Sequence, residues 1–144
     1  METMVRRVSE VSVSTGLPKS WVNPIKPECF AGKHEAQLAK VVGLTQFGVN
    51  LVTLEPGSMS SLRHWHEAED EFVYVLEGEV TLVDDNGEHV MSAMSFAGFP
   101  ASCANAHHLV NRSARTVSFL VAGSRRPGQE IIHYPDDDFG PIRK

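Results

Sequence analysis

Three observations predict an all-β fold, a sandwich or barrel of short strands. From Phe47 onward the chain runs in short stretches rich in Val, Leu, Phe and Tyr, each closed by turn residues. Asn86-Gly87, between two such stretches, is the dipeptide most strongly tied to a tight hairpin. A sustained helical period is missing over the same span. Strands at this spacing with almost no helix indicate a β-sandwich or barrel.

Residues 1–42 read as an extended N-terminal arm packing on a barrel domain of residues 43–144. The arm carries Pro18, Pro24 and Pro27, with a short edge strand expected at Val8 to Val13 and Trp21 as its anchor. His34 to Lys40 has the length of one or two helical turns. In the barrel, Val49 to Leu54 is the first strand, ended by the turn Glu55-Pro56-Gly57. Ser58 to His66 and Glu71 to Leu76 follow, joined by a hairpin loop over Glu67 to Asp70. Glu77-Gly78 turns into Glu79 to Val83, and Asp84 to Gly87 leads into Glu88 to Met91. Met94 to Phe96, His107 to Asn111 and Thr116 to Val121 complete the set, with a turn at Asn111 to Ala114. Glu130 to Tyr134 adds an edge strand before the acidic run Asp136-Asp137-Asp138.

A chain of 144 residues suits a single domain with one sizeable core. A hydrophobic content of 42% with 22% charged residues is ordinary for a globular protein. The net charge of −5 argues against a nucleic-acid partner, which calls for a basic face. No apolar run has the length of a membrane span, and the first residues lack the apolar core of a secretory signal. Cys29 and Cys103 stand far apart in no metal-like spacing, as two reduced thiols would. The expectation is a cytoplasmic protein with a small-molecule ligand and neither nucleic-acid nor membrane partners.

The chemistry concentrates between Gly57 and Gly78. Side chains two apart on a strand leave the same face roughly 6.5–7 Å apart. His64 and His66 are therefore aimed at one point, with Trp65 on the opposite face. A turn over the next four residues brings Glu71 beside them, and a third imidazole is available at His107 or its neighbour His108. Imidazole and carboxylate donors together suit a divalent transition metal ion: iron, manganese, nickel, cobalt, copper or zinc.

This stretch resembles the first motif of the cupins: glycine, spacer, H-x-H, three or four residues, glutamate, six residues, glycine. His64-Trp65-His66, Glu71 and Gly78 fit it, with six residues rather than five between Gly57 and His64. The second cupin motif is similar to the segment holding Pro100, His107 and Asn111. There Met94 stands at the motif's first glycine and Ser102 at the glycine of P-x-G, and four residues instead of two precede His107. The segments F-A-G-F-P-A, A-H-H-L-V-N-R-S and H-Y-P-D-D-D resemble small single-domain bacterial cupins of a sugar-phosphate-isomerase-like subgroup. The resemblance implies a double-stranded β-helix, a jelly-roll barrel, with His64, His66, Glu71 and His107 as metal ligands. His107 keeps the three-residue spacing to Asn111, whereas a register shift of one would select His108.

Four protein ligands on a six-coordinate ion leave two positions for substrate. The expected function is a metal-dependent enzyme on a small oxygen-rich metabolite, of isomerase or dioxygenase type. The alternative is a small-molecule-binding module without turnover. No second acid–base group is evident in the sequence, and Tyr74 is the aromatic expected to offer a hydroxyl to substrate. Arg63 alternates away from His64, and Glu67, Glu69 and Asp70 read as a solvated acidic turn. Trp65, the arm and the Ile131 to Tyr134 strand are surfaces for a homodimer.

Overall fold

Strand β10 (Val117–Ser124) lies between β3 (Phe47–Leu54) and β5 (Glu71–Glu77), antiparallel to both, and these three strands carry most of the core. The computed structural model describes residues 3–18 and 26–144; Trp21 and Pro24, expected in the arm, lie outside the described residues. In chain order the other strands are β1 (Val13–Thr15), β2 (Lys33–Gln37), β4 (Trp65–His66), β6 (Glu79–Asp84), β7 (Gly87–Ser92), β8 (Phe96–Phe99), β9 (His108–Val110), β11 (Ile131–His133) and β12 (Ile142–Arg143). One sheet has the order β1-β2-β3-β10-β5-β8, and two three-stranded sheets have the orders β12-β11-β4 and β7-β6-β9. All their pairings are antiparallel. The protein is an all-β jelly-roll barrel.

Alternation builds the core. Val73 and Val75 on β5, Val117 and Phe119 on β10, and Val52 and Leu54 on β3 point to one side and are buried. Val80, Leu82, Met91 and Leu109 close on them from the opposite sheet. Fully burying one such side chain contributes about 1.5–3 kcal/mol. Glu71 occupies the next position of the Val75–Val73 row, so the strand that fills the core also delivers a carboxylate to its mouth.

Gly78 makes the corner at which the chain leaves the large sheet for β6. Its φ is +86°, and a Cβ there would lie 2.8 Å from the Thr116 carbonyl oxygen. The closing glycine of the first motif is thus required by backbone conformation and by close approach. Met94 and Ser102, which replace two glycines of the second motif, have φ values of 72° and 68°. They are the only described non-glycine residues in the left-handed region. The backbone keeps the glycine conformation although the glycines are gone.

Several expected elements differ. Val8–Glu10 forms a turn of 3-10 helix, and the strand begins at Val13. Lys33–Gln37 is a strand, because its pairing with β3 sets its conformation; the one α-helical turn among the described residues is Leu38–Val41. The arm of residues 1–42 therefore contributes two strands to the large sheet. Between Ser58 and His66 only Trp65–His66 is regular, the rest making isolated bridges from Met59 to Val110 and from His64 to His107. Glu67 to Asp70 is a crossing between sheets, not a hairpin, since β4 pairs with β11 while β5 pairs with β10 and β8. Strand β11 lies in the middle of its sheet rather than at an edge. No helix of the described residues is long and apolar enough to cross a membrane.

Candidate metal centre

His64 and His107 exchange backbone hydrogen bonds, His107 N–H to His64 O at 3.0 Å and His64 N–H to His107 O at 3.2 Å. That reciprocal pair sets two imidazoles from distant parts of the chain side by side, with ring centres 5.1 Å apart. The His64 and His66 rings are 4.9 Å apart, edge to face. Glu71 reaches between them from β5, with Oε1 2.6 Å from His107 Nε2 and Oε2 3.6 Å from His66 Nε2. One donor atom each from His64, His66 and Glu71 falls within 4.8 Å of the others. Of the adjacent pair, His107 is buried against Glu71, while His108 Nδ1 donates to the Ser61 carbonyl.

The second nitrogen of each ring decides what the first can do. His64 Nδ1 lies 2.8 Å from the Leu62 carbonyl, and His107 Nδ1 3.0 Å from the Asn105 carbonyl. A carbonyl only accepts, so both Nδ1 atoms carry the hydrogen. His66 Nδ1 is 3.1 Å from Glu130 Oε2, a buried carboxylate that also accepts from the Ala68 N–H at 3.2 Å. With their hydrogens on Nδ1, the His64 and His66 rings keep an Nε2 lone pair for the space beside Glu71, and a cation there would let His107 Nε2, which lies 2.6 Å from Glu71 Oε1, bind as a lone-pair donor too. His66 Nε2 is buried and has no hydrogen-bond partner among the described residues. An orphaned imidazole nitrogen next to a carboxylate fits a divalent cation, whose binding would satisfy it. Phe99 stacks on His107 at 3.5 Å and 9°, holding that ring's plane.

Electrostatics follow burial. Burial would raise the Glu71 pKa, but the His107 and His66 rings beside it hold this carboxyl well below the usual carboxylate range. Burial pushes His64 down to about 4 against the attraction of Glu71. His66 is raised, because Glu71 and Glu130 outweigh its desolvation. Glu71 is thus ionised and His64 neutral, the forms a metal requires of them.

Some of the other residues fall where the sequence did not place them. Tyr74 leaves β5 on the face opposite Glu71, Val73 and Val75, and it lines none of the cavity beside Glu71. The nearby aromatic hydroxyl is that of Tyr134, whose ring is 5.8 Å from His64 and whose pKa is pushed up to about 12 by burial and the Glu71 charge. The β4–β11 register, Ile132 opposite His66, carries Tyr134 opposite His64. Glu130 and Tyr134 were missed because only that register gives them meaning. The acidic turn is anchored rather than merely solvated: Glu69 accepts from Arg126 N–H, Asp70 from Ala101 N–H, and Glu67 meets His133. Arg63 points away from the centre to Asp85, Asp136 and the Ala106 carbonyl. Trp65 is covered by His133 at 4.4 Å. Arg125 lies across Gly48 at a small opening that Glu71 also lines. Cys29 and Cys103 are free thiols.

A cavity of about 180 Å³ opens beside Glu71, His64 and His107, with Lys33, Glu35 and Ser61 on its walls. A wider cavity of about 420 Å³ shares Lys33, Glu35, Ser61 and His64 with it and reaches Tyr134. Lys33 and Glu35 leave β2 on the same face and pair at 3.3 Å, so the centre has charged neighbours that the sequence alone did not reveal.

Residues 50–123 match the cupin domain family. The chain is 44% identical to a sugar phosphate isomerase of the cupin superfamily from Silicibacter pomeroyi, over 92% of this chain and 82% of that one, with a TM-score of 0.84. It is 32% identical to a proposed sugar phosphate isomerase from Acidithiobacillus ferrooxidans, over 83% and 80% of the two chains, with a TM-score of 0.70. A polyketide cyclase from Streptomyces resistomycificus, 23% identical over 84% of this chain and 80% of its own, shares the fold with a TM-score of 0.64. No curated protein sequence matches significantly.

Proposed function

The chain belongs to the cupin family, and from that premise we propose that it is a metal-dependent enzyme of isomerase type acting on a small oxygen-rich metabolite. The observation that carries this reading is the convergence of His64, His66, His107 and Glu71, with His66 Nε2 buried and unpartnered. The likeness to two proteins described as sugar phosphate isomerases supports the substrate type. A bound divalent ion would supply Lewis-acid polarisation of a substrate oxygen. The residues themselves do the rest. Leu62, Asn105 and Glu130 fix the imidazoles through Nδ1, Phe99 holds the His107 plane, and the small cavity orients substrate at the donors.

Elemental analysis of the purified protein beside His64→Ala and His107→Ala tests the centre. About one equivalent of a transition metal, lost in both variants, is the expected result. Retention in His107→Ala would transfer the third imidazole to His108, and no metal in any sample after reconstitution would overturn the proposal. Solvent deuterium entering a carbon-bound position of a sugar phosphate in the loaded protein would establish isomerase chemistry. Binding without exchange would instead make the protein a sensing module.

A homodimer belongs to the same proposal. Phe72, Leu76, Met94 and Phe96 are exposed on β5, β8 and the turn before β8, and β8 is a free sheet edge. A second copy would cover them. Light scattering that gives a monomer mass at micromolar concentration would end this part of the reading.

A further inference from the structure

We propose that Lys33 and Glu35 form the substrate-binding pair of this protein, and that the ligand they take is a small hydroxylated anion. The inference rests on the metal-centre reading above and adds the groups that face it. Both residues lie on β2, outside the span matched to the family. They leave the same face of that strand, opposite the buried Leu54 and Val52 of β3. Their side chains are only 15% and 21% exposed. Charged groups that sheltered are normally paired, and here the pairing is mutual, at 3.3 Å.

The ammonium of Lys33 carries three hydrogens, so its ion pair with Glu35 still leaves donors for the cavity. Glu35 in turn is an acceptor for hydroxyl groups. Charge fixes the sign of the ligand. Lys33 is the cationic side chain on the wall of this cavity, and an anionic oxygen group is what its ammonium would hold, as a charged donor. Lys33 and Glu35 line both the inner cavity of about 180 Å³ and the wider one of about 420 Å³, room for a small metabolite. The anionic group is a carboxylate or a phosphate; both present the oxygens that Lys33 recognises.

Calorimetric titration of the metal-loaded protein with glycolate, glycerol 3-phosphate and glycerol tests the assignment. Binding of one of the two anions and not of glycerol is expected, and which anion binds identifies the group. Lys33→Met should weaken that binding by about 10- to 100-fold with metal content unchanged. Glu35→Gln should keep the anion preference while weakening binding of the hydroxylated probe relative to acetate or inorganic phosphate. Unchanged affinity in Lys33→Met, equal binding of glycerol, or loss only in Arg125→Ala would overturn the proposal. The same titrations on chelator-treated protein separate the two readings. A missing metal with anion binding still dependent on Lys33 would sink the metal centre alone.

Discussion

The Glu130 carboxylate sits 3.1 Å from His66 Nδ1, although 64 positions separate the two residues. Glu130 is 1% exposed, so its charge is sheltered from water and directed at the ring and the Ala68 N–H. An acceptor at Nδ1 fixes the His66 tautomer and turns the Nε2 lone pair toward Glu71. Burial would raise its pKa, but hydrogen bonds from Glu69, Ala68 and His66 lower it.

Replacing Glu130 with Gln keeps the shape and removes the charge. Metal affinity measured by chelator competition should fall about 10- to 100-fold, the usual effect of losing a partner behind a metal-binding histidine. An unchanged affinity would show that Glu130 does not orient His66.

Asn111 is a structural residue although it ends the second motif. It is fully buried, its amide donates to the carbonyls of Leu54 and Arg115, and its oxygen accepts from Ser113 twice. Asn111→Ala should cost about 3 kcal/mol in urea denaturation, because it strands buried carbonyls. A loss below about 1 kcal/mol would contradict this role.

Met94 holds a left-handed conformation while 75% exposed. A non-glycine residue there costs about 1–2 kcal/mol, and glycine gives back about 0.5–1 kcal/mol in chain entropy. Met94→Gly should therefore raise the stability of the monomer by up to about 1 kcal/mol, read as a higher Tm at a dilution where light scattering gives the monomer mass. A lower Tm would mean that the Met94 side chain packs in a way its exposure hides.

Arg63 ties the histidine segment to Asp136 and Asp85. Hydrogen bonding to Arg63 lowers the Asp136 pKa below its ordinary value. A depressed carboxyl contributes stability above its unfolded pKa, near 4, and that stability is lost as pH falls through the folded value. Stability of the parent should thus drop below about pH 4 more steeply than that of Arg63→Met, followed by circular dichroism. Both groups are partly solvated, so the difference will be modest and will shrink in salt. Parallel curves for the two proteins would remove Arg63 from this role.

The strands of the barrel were legible because alternation and turn residues are local signals. Val73-Val75 and Val117-Phe119 declare their buried faces, and Asp84 to Gly87 declares its hairpin. The His64, His66 and Glu71 spacing is local too, so these three donors were readable as a group directed at one point. What failed locally was Lys33–Gln37, a polar run whose strand conformation comes from its partner β3.

Local sequence was enough for the barrel class, for the spacing of His64, His66 and Glu71, and for the conformation that Gly78 supplies, because each depends on residues near one another in the chain. Tertiary structure alone decided which neighbours complete the centre. Glu130 and Tyr134 arrive through the β4–β11 register, Lys33 and Glu35 through the pairing of β2 on β3, and Tyr74 is turned away by the parity of β5. Pairing register between distant segments carries no local sequence signature, and a shift of one residue would exchange every inward side chain for an outward one.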